Sequence, residues 1–99
     1  MVERIIWKKT ADRTFDNITT FLQQDKFSSR AAFNFAKLVY EKIDQLEKQP
    51  MSGRKVLGTK SVRVINFGTH YQMFYRSEGK TLVISAFWDM RRNPKTRPF

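Results

Sequence analysis

Apolar positions along the chain change their period once, and that change divides it into two kinds of structure. Residues 2–8 alternate as a short strand, with Ile5 and Trp7 on one face and Arg4 and Ile6 on the other. Thr10 is the predicted N-cap of a first helix, with Asp12 in the first turn complementing the helix dipole. Ala11, Phe15, Ile18 and Leu22 then recur at helical spacing and form one apolar stripe. Three further threonines lower its intrinsic propensity, so this helix needs tertiary packing. Residues 23–27 read as a polar connector. Ser28 or Ser29 caps a second helix carrying Ala32, Ala36, Val39, Ile43 and Leu46 on one face, widened by Phe35. Pro50 and Gly53 end it.

From residue 54 onward the period is two. Val62, Val64 and Asn66 alternate with Arg63, Ile65 and Phe67. Gly68-Thr69-His70 is a turn, after which Tyr71, Met73 and Tyr75 alternate with Gln72, Phe74 and Arg76. Ser77-Glu78-Gly79-Lys80 is a second hairpin turn, with Gly79 suited to positive φ. Residues 81–88 form a nearly continuous apolar run, the pattern of a strand buried on both faces in mid-sheet, with Phe87 and Trp88 on opposite sides. Asn93-Pro94 and Pro98 interrupt the C-terminal segment, and a short extra strand fits near residues 55–57. The expected fold is α+β in the order β-α-α-β-β-β. An N-terminal strand precedes an antiparallel helical hairpin, which packs on a curved antiparallel sheet. Residues 1–99 read as one domain, with 91–99 as a basic tail.

Charge sharpens this division. The 99 residues carry 19 Lys and Arg against 9 Asp and Glu, a formal net charge of +10. Residues 1–49 hold nine bases and seven acids; residues 50–99 hold ten bases, with Glu78 and Asp89 as the acids. The strand-forming half is therefore the anion-facing half, and the last nine residues add Arg91, Arg92, Lys95 and Arg97 without an acid. With no Cys and one His, disulfides, a thiolate nucleophile and a zinc site of several Cys or His are excluded, and neither metal nor cofactor is expected. No stretch approaches the roughly 18 apolar residues of a membrane span. The first residues are too short and too charged for a signal peptide, so the expected compartment is the cytoplasm, with no membrane partner.

The serial order of several short motifs resembles the RelE/ParE family of toxins from bacterial type II toxin–antitoxin systems. The motifs are Trp7-Lys8-Lys9-Thr10-Ala11, the Ala-rich second helix ending in Ile43-x-x-Leu46, Pro50-x-x-Gly53-Arg54, and Val62-Arg63-Val64. Tyr71-Gln72-Met73-Phe74-Tyr75-Arg76 and the closing Phe87-Trp88-Asp89-Met90-Arg91-Arg92-Asn93-Pro94 complete the series. The resemblance implies a growth-arresting toxin, neutralised by a cognate antitoxin, that reaches operator DNA only indirectly through that antitoxin. ParE-like members inhibit DNA gyrase; RelE-like members cleave mRNA on the ribosome, and fold alone does not choose between them.

Metal-free RNA cleavage needs a proton acceptor, a proton donor and cations on the phosphorane. Arg63 and Arg91 stand near the basic positions of the nuclease branch, and His70 is the one side chain of its type. Gln72, however, occupies the place of an arginine, and the C-terminus offers Phe99 instead of a titratable Tyr or His. Gln is neutral and does not balance phosphorane charge as a guanidinium does. These departures favour a gyrase inhibitor, with a metal-independent mRNA endoribonuclease using Arg63, Arg91 and His70 as the rival. A non-toxic RNA-binding module, built on the basic half with Tyr71, Phe74 and Tyr75, is a third reading. Arg63, Arg76, Arg91 and Arg92 are the expected anion- or target-binding residues. Their plain alternatives are exposed strand positions for Arg63 and Arg76, an exposed turn for His70, and a solvated tail for Lys95 and Arg97.

Overall fold

A computed structural model describes residues 2–24, 28–92 and 94–99. Its elements are β1 (Arg4–Trp7), α1 (Lys9–Gln24), α2 (Ser29–Lys48), β2 (Arg54–Lys55), β3 (Arg63–Phe67), β4 (Tyr71–Glu78), β5 (Thr81–Asp89) and a short 3-10 turn at Pro94–Thr96. The sheet order is β1-β5-β4-β3-β2. β2 to β5 are antiparallel neighbours, whereas β1 runs parallel to β5, so the sheet is mixed. The parallel edge follows from the helical hairpin, which lies between β1 and the rest of the sheet in the chain. The α+β order is the expected one, and the extra strand lies at Arg54–Lys55 rather than at 55–57.

Both helices lay their apolar stripes on one face of the sheet. Ala11, Ile18 and Leu22 of α1 and Ala32, Phe35, Val39, Ile43 and Leu46 of α2 are buried. They meet Phe67, Tyr71, Met73, Tyr75, Leu82, Ile84 and Phe87 in one core. Ser28 is the N-cap of α2, its hydroxyl accepting from the Ala31 amide at 3.0 Å. Thr10 is not the cap of α1. The Asp12 amide donates to the Lys8 carbonyl, so the first turn starts at Lys9 and Thr10 lies inside it. The threonines of α1 instead turn their hydroxyls back on the helix, Thr14 to the Thr10 carbonyl and Thr19 to that of Asp16. Residues 25–27 of the expected connector, and Asn93, lie outside the described residues.

The opposite face holds a smaller cluster of Val64, Phe74 and Ala86 with Val56, Val62 and Trp88. A register shift between β4 and β5 pairs Phe74 with Ala86 but Tyr75 with Ile84, leaving Ser85 as the extra residue. This bulge lets Ile84 and Phe87, three positions apart, both face the helices. Phe87 and Trp88 accordingly lie on opposite faces. The C-terminal segment is largely exposed, as at Lys95 and Arg97, but two of its side chains rest on the sheet. The Phe99 ring centroid is 5.1 Å from that of Phe74, and the Arg97 guanidinium lies 5.4 Å from Phe74 and 5.5 Å from Trp88. At the β4–β5 turn Glu78 pairs with Thr81, and Gly79 takes φ +58°, a conformation costly for a residue with a Cβ.

Candidate functional site

β3, β4 and β5 bring two groups of polar residues to their two ends. At the first end, Phe67 pairs with Tyr71 and Tyr71 with Asp89, which sets the Gly68–His70 turn against the exit of β5. The Met90 amide donates to the His70 carbonyl at 2.7 Å and holds the two segments together. Asp89 is 3% exposed. Its Oδ1 accepts from the Arg91 backbone amide (2.9 Å) and Nε (3.1 Å), and its Oδ2 from Nη2 (2.9 Å). Burial alone would raise this carboxyl; the hydrogen bonds and charge of Arg91, aided by His70, outweigh it and hold Asp89 below its ordinary value. The same pairing raises Arg91.

His70 sits against the Tyr71 ring with centroids 4.2 Å apart, and its Nδ1 is 2.7 Å from the Thr69 hydroxyl. Its Nε2 is shielded and has no partner among the described residues. Burial first, then the charge of Arg91, lowers its pKa below 6.5, with Asp89 opposing; the imidazole is therefore neutral at pH 7. Burial and the neighbouring Asp89 raise Tyr71 above 10.0, so its phenol stays protonated. His70, Tyr71 and Arg91 line a groove of about 350 Å³ that continues between the helices past Phe35 and Leu38. Arg92, next in the chain to Arg91, is exposed, its guanidinium 5.1 Å from the Phe21 ring.

At the other end Arg63 pairs with Tyr75, four residues along β4 from Tyr71, or about 13 Å away along the strand. Arg63 donates from Nη1 to the Gly53 carbonyl at 2.7 Å and to that of Met51 at 3.3 Å. The Tyr75 hydroxyl donates to the Pro50 carbonyl and accepts from the Gly53 amide, both at 2.8 Å. Burial dominates in raising the Tyr75 pKa. Arg76 lies farther along β4, pairs in register with Val83 and bridges Glu78 at 3.2 Å. Gln72 is 4% exposed on the face away from the helices, and its amide donates to Asn66 across the β3–β4 pair at 3.0 Å.

Of the residues expected at a site, the structure brings His70 and Arg91 together, turns Arg92 toward Phe21 of α1, and places Arg63 and Arg76 elsewhere. Tyr71, named only for the RNA-binding reading, and Asp89, given no site role, belong to the cluster as well. The spacing Asp89-x-Arg91 after an apolar run was the available signal. Among the described residues no three His, Cys, Asp or Glu side chains gather into a metal-sized group.

The profile of the ParE toxins of type II toxin–antitoxin systems, parDE, matches residues 5–94. The chain belongs to the ParE toxin family. Among solved structures, one from P. aeruginosa, described as a chromosomal ParDE toxin–antitoxin system, is similar with a TM-score of 0.71 at 16% identity, covering 89% of this chain and 96% of that one. At that identity the likeness is one of fold. No curated protein matches in sequence. No described helix is long and apolar enough to cross a membrane. In this ParE-family chain, Arg63 and Arg91 stand at opposite ends of the β3–β4 pair.

Proposed function

We propose that this ParE-family toxin arrests growth by inhibiting DNA gyrase, and that a cognate antitoxin with an acidic segment neutralises it. One observation carries the choice of target: the three residues a metal-free nuclease would use, Arg63, His70 and Arg91, do not converge. Arg63 spends its guanidinium on the carbonyls of Met51 and Gly53. Arg91 is held in a bidentate pair by Asp89, and Phe99, at the place of a terminal proton donor, packs on Phe74. A phosphorane at His70 would meet Arg91 as its near cation while lacking the second basic position. For the antitoxin, α2 leaves Leu38 (37%) exposed along the groove beside Phe35, and Arg91 lines the same groove from the exit of β5. Apolar anchors with flanking positive charge suit an amphipathic segment bearing carboxylates.

The deciding experiment measures the purified chain in two reactions. Inhibition of gyrase supercoiling at sub-stoichiometric to stoichiometric amounts, with intact message in a translation reaction read by primer extension, is the expected result. Codon-positioned cuts with unimpaired gyrase would overturn the gyrase reading in favour of the nuclease. For the antitoxin, the growth arrest caused by the chain alone should be relieved by co-expressing an adjacent small reading frame.

A further inference from the structure

α1 carries Arg13, Asn17 and Phe21 at four-residue intervals, one stripe along its length. That stripe faces the last part of β5, which runs beyond the end of β1: Trp7 pairs with Ile84, and β5 continues to Asp89. Along this stretch α1 replaces a neighbouring strand, with the Thr14 hydroxyl accepting from the Phe87 amide at 2.9 Å. Between them is a cleft of about 190 Å³, lined by Arg13, Asn17, Trp88, Asp89, Arg92 and Pro98 among others. Arg13 and Asn17 are exposed, and neither side chain has a partner among the described residues. The indole N–H of Trp88 is shielded and likewise has no acceptor. Asp89 also lines the cleft, but both its oxygens are taken by Arg91. Asp12 and Asp16 of α1 do not line it. The cleft thus carries the guanidiniums of Arg13 and Arg92, the latter stacked on Phe21, and the Asn17 amide, with Trp88 in its wall.

We propose that this cleft binds a phosphate group, as a phosphomonoester dianion. Two guanidiniums from different elements, Arg13 on α1 and Arg92 after β5, match a doubly charged group with three equivalent oxygens better than a single carboxylate, which one bidentate arginine satisfies. Stacking on Phe21 holds Arg92 beside the stripe, which lowers the entropy lost when the anion binds. Asn17 supplies a neutral donor for the remaining oxygens, and Trp88, in the cleft wall, reports on occupancy. The dianion can belong to a free nucleotide or to the 5′ end of a nucleic acid strand. This site does not depend on the gyrase reading and stands or falls separately.

The test is a titration of the full chain at low ionic strength, followed by proton–nitrogen NMR at the two tryptophan indoles and the Asn17 amide. Inorganic phosphate is expected to move the Trp88 indole and Asn17 while leaving Trp7 in place. Arg13→Gln, at an exposed helix position, should weaken binding about tenfold or more with unchanged thermal unfolding, whereas Arg4→Gln should not. Adenosine 5′-monophosphate against adenosine, and a short oligonucleotide with and without a 5′-phosphate, separate the sources. Tighter binding of either phosphorylated partner supports the site and names its source. Equal binding of the unphosphorylated oligonucleotide, equal affinity in Arg13→Gln, or no movement at Trp88 would overturn it.

Discussion

The two ends of β4 each place an arginine beside a tyrosine, and they use the pair for opposite purposes. At the Tyr75 end everything is closed. Arg63 and the Tyr75 hydroxyl donate to carbonyls of Pro50, Met51 and Gly53, so the loop leaving α2 is tied to the sheet through its neutral backbone oxygens. A Cβ on Gly53 would fall 2.6 Å from the Tyr75 oxygen, so glycine is required there by close approach. At the Tyr71 end the arginine meets a carboxylate instead. Asp89 is almost fully buried while the Arg91 side chain is 48% exposed, and Arg91 shares a groove with His70. An arginine spent on backbone carbonyls stabilises a loop. One fixed by a buried carboxylate is a preorganised, outward-facing charge.

The largest expected effect tests the closed end. Tyr75→Ala should lower stability by about 3–5 kcal/mol in chemical denaturation, from lost packing and a cavity. Tyr75→Phe keeps the ring but strands the Gly53 amide, at a cost of about 1–3 kcal/mol. A change below about 0.5 kcal/mol would mean the knot does not hold the loop. Gly53→Ala belongs in the same range, about 1–3 kcal/mol, because the tyrosine ring must move. At the open end Asp89→Asn should cost less, about 1–2 kcal/mol, since the exposed side of Arg91 remains solvated.

Activity should divide the ends the other way. Arg91→Gln is expected to relieve growth arrest while the protein stays folded. Arg63→Gln should lose about 1 kcal/mol and keep its toxicity at permissive temperature; equal toxicity of wild type and Arg91→Gln would remove Arg91 from the target surface. Leu38→Asp should weaken antitoxin capture in a pull-down without abolishing growth arrest. The smallest effect is on pH. His70 has a lowered folded pKa, so the unfolded chain binds more protons, and stability should fall as pH drops from about 6.5 through that folded value. His70→Gln should flatten this slope. Asp89 contributes stability above its unfolded pKa near 3.8 that is lost as pH falls through its lower folded value, and Asp89→Asn should remove that acid limb.

Much of the fold was legible because burial writes a period into the chain. The stripes of α1 and α2, the change of period near residue 54 and the central place of β5 all follow from which residues avoid water. The bulge at Ser85 was hidden by the very apolarity of β5, since a run buried on both faces shows no break in alternation. The start of α1 was misplaced because Thr10 has the chemistry of a cap, yet the Lys8 carbonyl already closes the first turn. At the site, His70 and Arg91 were named from residue type, while Asp89 was counted as one acid among nine. Arg97 is exposed, as expected of a solvated tail, yet its guanidinium stacks over Phe74 and Trp88, and Phe99 packs on Phe74, contacts no local pattern announces.

What the sequence determined by itself was the set of elements, their order, the asymmetry of charge and the family. Each depends on residues near one another in the chain or on sums over it. Tertiary structure decided which of the four expected arginines face outward together. Arg63 and Arg91 are both basic residues near strand ends, and no local pattern separates them. Their roles differ because one strand register sets Arg63 beside the carbonyls that follow α2, and another sets Arg91 beside a buried carboxylate and His70. Partners of that kind come from pairing between distant segments, which only the folded chain supplies.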